Sequence, residues 1–364
     1  MRLQLTALAV ASLAVTAVVT ASTASAADVV RVDARSGLYH DSDSTTIGTA
    51  TTAVRGTIED LVTIKGRYLA DIISSASVDV VSAATGRFDE IRHEAEGGLT
   101  YADGTNTANA TYIYSVENDW SSHTASAGFG RDFLDHQLTL GLGGSLVLNA
   151  VGRQDDDNFA ESLIVGTGTA SAAIVASPED LVSLAYSFTY TTGYQASPYR
   201  FAYLGDPTGL TIGVPERHPD LRLRHALAIR HNHYLFQDAA LRSHGRVYVD
   251  DWGITSGTVG AELVVGFPPL ELGARVRGYL QSAARFYESV YEAPTRYMTA
   301  DRELGAFTDV FAGGKVGLRH DFNGAIEVLE AEVRVDGFYF KYFDFPRLPQ
   351  RTGLTAELGL GMSL

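Results

Sequence analysis

The chain of 364 residues carries a formal net charge of -15, 36 glycines, 18 tyrosines, 16 phenylalanines and no cysteine. So acidic a chain offers no basic face for a phosphate backbone, which excludes nucleic acid as a partner. The lack of cysteine excludes disulfides, thiolate metal sites and a lipoprotein anchor together.

Met1-Arg2 is a short positive start, Leu3 to Val19 is largely apolar and uncharged, and Ala24-Ser25-Ala26 is a small-x-small cleavage site. Residues 1–26 read as a secretory signal peptide and 27–364 as a single domain. Beyond that point no stretch approaches the roughly 18 apolar residues of a membrane helix, so membrane contact has to come from strands.

Alternation with a period of two then recurs along the chain. Val29 to Tyr39 and Ile47 to Ile58 form a first hairpin. In Leu61 to Asp71, Val62, Ile64, Tyr68 and Ala70 oppose Thr63, Lys65, Arg67 and Asp71. In Ile91 to Tyr101, Ile91, Ala95, Leu99 and Tyr101 oppose Arg92, Glu94, Glu96 and Thr100. Ala108 to Val116, Leu272 to Leu280 and Leu329 to Tyr339 repeat the pattern, the last two with Arg275, Arg277, Glu330, Glu332, Arg334 and Asp336 on the polar side. The last ten residues, Thr355 to Leu364, alternate to the end: Ala356, Leu358, Leu360, Met362 and Leu364 on one face, small or polar residues on the other. Oil opposite charge in strand after strand is the dyad pattern of an outer-membrane barrel, in which lipid replaces a core on the outer face.

The connections agree. Short turns fall near Glu59-Asp60, Asp103 to Asn106, Asp132 to His136, Ser177 to Asp180, Phe236 to Asp238, Phe267 to Leu270 and Asp321 to Gly324. Long ones lie at Ile72 to Arg87, Gly152 to Ala160, Gln195 to Leu221, Ala284 to Glu303 and Lys341 to Arg351. Short periplasmic turns with longer extracellular loops are the asymmetry of such a barrel. The count is about sixteen strands, within 14–18, which allows each the ~9–11 membrane residues it needs. The expected fold class is therefore all-β, a transmembrane antiparallel up-and-down barrel in the bacterial outer membrane. Its expected partners are the bilayer, lipopolysaccharide and, through the C-terminal strand, the barrel-assembly machinery.

Two tips resemble one another, Asn118-Asp119-Trp120-Ser121 and Asp250-Asp251-Trp252-Gly253. Trp120 and Trp252, with Tyr339, are read as interface anchors, where amphipathic rings are at home. His231 and His233 share a strand face and could share a metal, but parity puts them on the lipid side near the lower interface, and interfacial side chains are the preferred reading. Asp250-Asp251 could be half of a protease dyad, yet no facing Asp-His pair is identifiable. Asp155-Asp156-Asp157-Asn158 could hold a cation but suits a solvated loop. With no phosphate loop and no nucleophile elbow, the chain is read as no enzyme, without cofactor or resident metal.

Projected inward by parity, Arg222, Arg224, Arg230, Arg242, Arg246, Arg275 and Arg277 fall on four consecutive strands, and Glu94, Glu96, Glu330, Glu332 and Asp336 on others. Opposed basic and acidic walls would set a transverse field across a water-filled pore. The same residues could instead pair across a closed lumen.

Three stretches carry a resemblance: Asp71 to Val81; Val214-Pro215-Glu216-Arg217-His218-Pro219-Asp220 leading into Arg224-His225-Ala226; and Asp250 to Ile254 with Gln281-Ser282-Ala283-Ala284-Arg285-Phe286-Tyr287 beyond. On these the chain resembles the bacterial outer-membrane barrels filed as domain of unknown function 3570. Gly257 departs from the pattern, where His is expected. The resemblance implies a barrel and an outer-membrane address, and no reaction. Two functions are then open: a porin-like diffusion channel or transport-related pore for small solutes, and a largely closed barrel serving as scaffold or sheath for an envelope partner, including a redox complex.

Overall fold

The computed structural model describes residues 29–75, 88–206, 211–236, 238–322 and 324–364. The expected signal peptide and residues 76–87 of the first long loop lie outside them.

Sixteen antiparallel strands form a closed barrel. They are β1 (Val29–Asp41), β2 (Thr45–Ile58), β3 (Val62–Ser75), β4 (Phe88–Ala102), β5 (Asn106–Val116), β6 (Trp120–Phe133), β7 (Leu138–Val151), β8 (Glu161–Ser177) and β9 (Asp180–Gly193), then β12 (Leu221–Phe236), β13 (Ala239–Asp250), β14 (Thr255–Phe267), β15 (Leu270–Gln281), β16 (Phe307–Asp321), β17 (Val328–Tyr342) and β18 (Gln350–Ser363). A separate hairpin of β10 (Phe201–Gly205) and β11 (Thr211–Pro215) interrupts the walk between β9 and β12, which pair directly. Each stave otherwise neighbours the next in sequence, and β1 closes on β18 from Arg31↔Ser363 to Asp41↔Gly353.

Register fixes facing. Leu354, Leu358, Leu360 and Met362 of β18 align with Val32, Ala34, Ser36 and His40 of β1, the outward row, and Gly359 and Gly361 align with Arg35 and Asp33, the inward row. Followed around the sheet, the outward rows carry large apolar residues left exposed, among them Leu142 at 68% and Val259 at 66%. Apolar surface on that scale is tenable only against lipid. The pattern is possible because β-branched and aromatic residues fit a pleated, half-covered surface.

The connection between β2 and β3 is three residues long, Glu59 to Leu61. Glu59 and Asp60 have φ of 52° and 54°, and Leu61 N–H donates to Ile58 O at 3.0 Å, which is a type I′ turn matching the strand twist. This turn, the other six short turns expected from the sequence and the outer ends of β1 and β18 gather at one end, the periplasmic end by the rule for such barrels. The opposite end carries the tight turns 42–44, 117–119 and 251–254 and segments 152–160, 194–206, 211–220, 282–306 and 343–349.

The facing is testable on adjacent residues. Leu146 lies on an outward row of β7 and Ser145 on an inward one. Leu146→Arg should cost about 2–4 kcal/mol near the midplane, while Ser145→Arg, free to reach lumen water, should cost far less. Heat-modifiable mobility and urea unfolding read the difference.

Candidate functional site

The interior has two unlike walls. On β5 to β9 the inward rows hold Thr107, Asn109, Thr111, Ser126, Gly128, Gly141, Gly143, Ser145, Thr167, Thr169, Ser171 and Ser187, with no charge across the middle of five staves. A recess of about 490 Å³ lies against them. The remaining staves, β12 to β18 and β1 to β4, carry the long charged side chains.

Every one of those twelve candidate residues sits on an inward row, but their pairing is local. Arg222 meets Asp250 at 2.6 Å and lies 4.2 Å above the Trp252 ring. Arg242 meets Glu262 at 3.4 Å, and Arg277 meets Asp309 at 2.5 Å while stacking 4.4 Å over Phe311. Arg275 reaches past one strand to Asp336 with one bidentate guanidinium edge, Nε donating to Oδ1 and Nη2 to Oδ2. The strand between contributes Gly313, aligned with both residues, and a Cβ there would collide with the Asp336 carboxylate. Glu94 and Glu96 bind Arg67, with Lys65 on Glu96 at 2.6 Å. Glu330 takes Arg31 at 2.5 Å, and Glu332 takes Lys315 at 3.7 Å and Arg334 at 3.5 Å. These ion pairs join residues of one stave or of staves one or two apart, as distinct from pairs reaching across the lumen.

Three of the arginines stand apart. Arg224 donates to Thr191 Oγ1, Arg246 leans over the Tyr248 ring at 5.6 Å, and Arg230 lines a recess of about 700 Å³ with Arg242, His244, Arg275 and Arg277. Among the described residues none of the three has a carboxylate within salt-bridge reach.

The tryptophans depart from expectation. Trp120 lies on an inward row of β6, its indole N–H donating to Asn149 Oδ1 at 3.1 Å. Trp252 is 4% exposed, packed with Ile254, Ala284, Tyr287 and Leu304, and its N–H donates to Leu221 O at 2.9 Å. Both indoles are satisfied by protein, so neither anchors the barrel in lipid. Tyr339 is on an outward row, 40% exposed, and remains a candidate anchor. Unforeseen in the sequence is a set of Tyr–His pairs on the outer face: Tyr68–His93, Tyr112–His123 and Tyr186–His225, at 2.7, 2.6 and 2.7 Å. Each is a diagonal cross-strand pair, a signal visible only once register is known.

Asp250 is engaged by its own turn. Its carboxylate accepts from Arg222, from Tyr248 OH at 2.7 Å and from Ile254 N–H at 2.8 Å, which saturates it as the organiser of its turn. Asp155 is engaged by Arg153 at 2.6 Å.

The mouth is packed protein. His218 stacks edge-on to Trp252 at 5.4 Å and lies 5.6 Å from Phe286, so the second and third stretches carrying the family resemblance converge in one cluster. Glu216 accepts from Thr299 Oγ1 and Ala300 N–H, both at 2.9 Å, holding segment 282–306 against segment 194–220. Arg302 then meets Asp43, in the β1–β2 turn, at 2.6 Å, with side chains only 7% and 3% exposed. That pair pins the loop to the staves at the barrel seam, and sequence gave no hint of it because the residues are remote.

The family profile described as "Protein of unknown function (DUF3570)" matches residues 165–360, more than half of the chain. No curated protein matches by sequence. Among solved structures, a bacterial polysaccharide outer membrane secretin is similar with TM-score 0.51 and 12% identity over 92% of this chain and 97% of its own. OccK2 (OpdF) of Pseudomonas aeruginosa, in complex with glucuronate, gives 0.44 and 10% over 93% and 98%, and OccK5 (OpdH) of the same organism 0.44 and 9% over 92% and 97%. At this level of identity the likeness to the secretin is one of fold: the protein is a closed sixteen-stranded β-barrel of the outer-membrane kind.

Two predictions concern the mouth. Arg302→Met breaks the buried ion pair with Asp43, so it should cost up to about 3–5 kcal/mol in unfolding and admit protease cutting within 282–306 on intact cells. Burial pushes the Tyr291 phenol, packed in the same loop, from its ordinary 10.0 up to about 12. The neutral form is favoured in the fold, so this contribution is whole below pH 10 and lost as pH climbs through about 12. Absorbance titration of phenolate should show Tyr291 lagging the exposed tyrosines, with loop cutting rising over the same window.

Proposed function

We propose, from the premise that the chain belongs to the DUF3570 family, that it is a porin-like diffusion channel for small polar solutes. The observation that carries this reading is the bare wall of β5 to β9, where Gly, Ser, Thr and Asn leave the lumen uncovered. Water and solute would pass along that wall, off the barrel axis, because the facing staves are occupied by paired side chains. Small hydroxyl and amide groups offer hydrogen bonds without fixed charge, which suits uncharged or weakly charged solutes.

The arginine row then has two roles. Arg275, tied to an Asp336 only 2% exposed in its side chain, holds staves together. Arg230 and Arg246 are free to bias passing ions. The pore is thus expected to be weakly anion-preferring in spite of the acidic chain, since wall charge within a Debye length of about 8–10 Å outweighs the total.

A second reading, the closed sheath for an envelope partner, is favoured by one feature: the mouth loop pinned by Arg302 and Asp43.

Planar-bilayer recording separates them. A stable open current is expected, reduced by Thr169→Arg on the bare wall and shifted toward cations by the double change Arg230→Gln and Arg246→Gln, with folding retained. Arg275→Gln should behave differently, costing about 1–3 kcal/mol by stranding the Asp336 carboxylate. Persistent silence of the wild-type protein, with Thr169→Arg indistinguishable, would give the sheath reading the field.

A further inference from the structure

We infer that the outer wall carries a divalent-metal site at the periplasmic rim, built from Asp180, His231 and His233. His231 and His233 are two apart on β12 and share its outward face, while Asp180, the first residue of β9, is the register partner of His233 on the neighbouring stave. His231 Nε2 and His233 Nδ1 stand 2.7 Å and 2.8 Å from the same oxygen, Asp180 Oδ1. The three ligand atoms lie within 4.8 Å of one another, and no other group of three His, Asp or Glu among the described residues is so placed.

The geometry suits an ion with little adjustment. Ligands of a four-coordinate Zn²⁺ bound at about 2.0–2.2 Å stand roughly 3.3 Å apart. A small turn of each imidazole opens the triangle to that size. Two imidazoles and one carboxylate favour Zn²⁺ and its late first-row neighbours over Mg²⁺ or Ca²⁺, which require oxygen donors. Ser177 Oγ donates to the other oxygen, Asp180 Oδ2, at 2.7 Å, which orients the carboxylate so that Oδ1 faces the two rings. The three side chains keep 28–43% exposure, so an ion can enter from the periplasm and keep a position for water or another donor.

The location gives the site a consequence. Staves β9 and β12 are separated in sequence by the β10–β11 excursion, and at the periplasmic rim they meet through the pairing of Leu181 with Asn232 and Asp180 with His233. A shared ion ties the β8–β9 hairpin to the β12–β13 hairpin across that junction.

Untagged protein, stripped of metal and held in detergent, is titrated calorimetrically with Zn²⁺ alone. One ion per chain is expected, with affinity falling at least about 10-fold in Asp180→Asn and in His231→Ala. His136→Ala, which removes an exposed histidine beside Asp132 at another turn, should leave the site intact. As a second readout, Zn²⁺ should raise the temperature at which wild-type heat-modifiable mobility is lost, and should not do so in Asp180→Asn. All variants alter the exposed outer face, and barrel mobility in the unheated sample verifies folding, with His233→Gln as substitute if one fails. Absence of one-to-one binding in the wild type would overturn the assignment, as would equal binding and equal thermal shift in wild type and variants.

Discussion

A strand in hydrocarbon has no water to satisfy its N–H and C=O groups, and the β1–β18 seam is where this chain meets that demand. Closure leaves no free edge, and it locks register around the whole circle, because a slip of one residue would turn an entire apolar row into the lumen. The two register shifts, at Val175/Ser177 and Tyr234/Phe236, lie at the periplasmic ends of β8 and β12, where strands leave the bilayer and the constraint lapses. Half of the strand residues are thereby committed to lipid. Chemistry is confined to the inward rows, the loops and the rims.

Within the lumen, proximity decides the electrostatics. Charges 2.5–2.6 Å apart, such as Arg277–Asp309 and Arg222–Asp250, attract far more strongly than walls facing each other across screened water. The long side chains lie sideways along the staves toward their counter-ions instead of extending across the barrel. Gly313 is the device that lets one of them do so over two strands: Arg275 passes where a side chain would otherwise stand. A consequence is that volume is left on the side where nothing projects, against β5 to β9.

The strand count, the turns and the facing of Glu94 or Arg275 were legible in the sequence because lipid imposes a period of two that no loop chemistry disturbs. Side-chain partners were not, since Arg275–Asp336 and Arg302–Asp43 join positions remote in the chain. The tryptophans show where pattern reading fails. A tryptophan beside two acidic residues at a strand end looks the same whether its face meets lipid or a neighbouring loop. Trp252 is covered only because segments 194–220 and 282–306 bring His218 and Phe286 over it. The metal triad lay between these extremes: His231 and His233 were visible as a pair, and Asp180, 51 residues away, needed the register.

The mouth is covered unevenly, and under the proposed channel reading this bears on where solute would enter. Over β12 to β18 the cover is a packed core, with Met298 and Thr299 wholly buried and Arg302 fixed to Asp43. Among the described residues, Tyr199 of segment 194–206 reaches toward β5 to β7, its hydroxyl donating to Asp119 and accepting from Gln154 N–H at 2.8 Å. Hydrogen bonds of this kind rearrange at less cost than a loop held by a buried ion pair and an apolar cluster. The packed cover thus stands over the charged staves, where paired side chains already fill the lumen, and away from the bare wall.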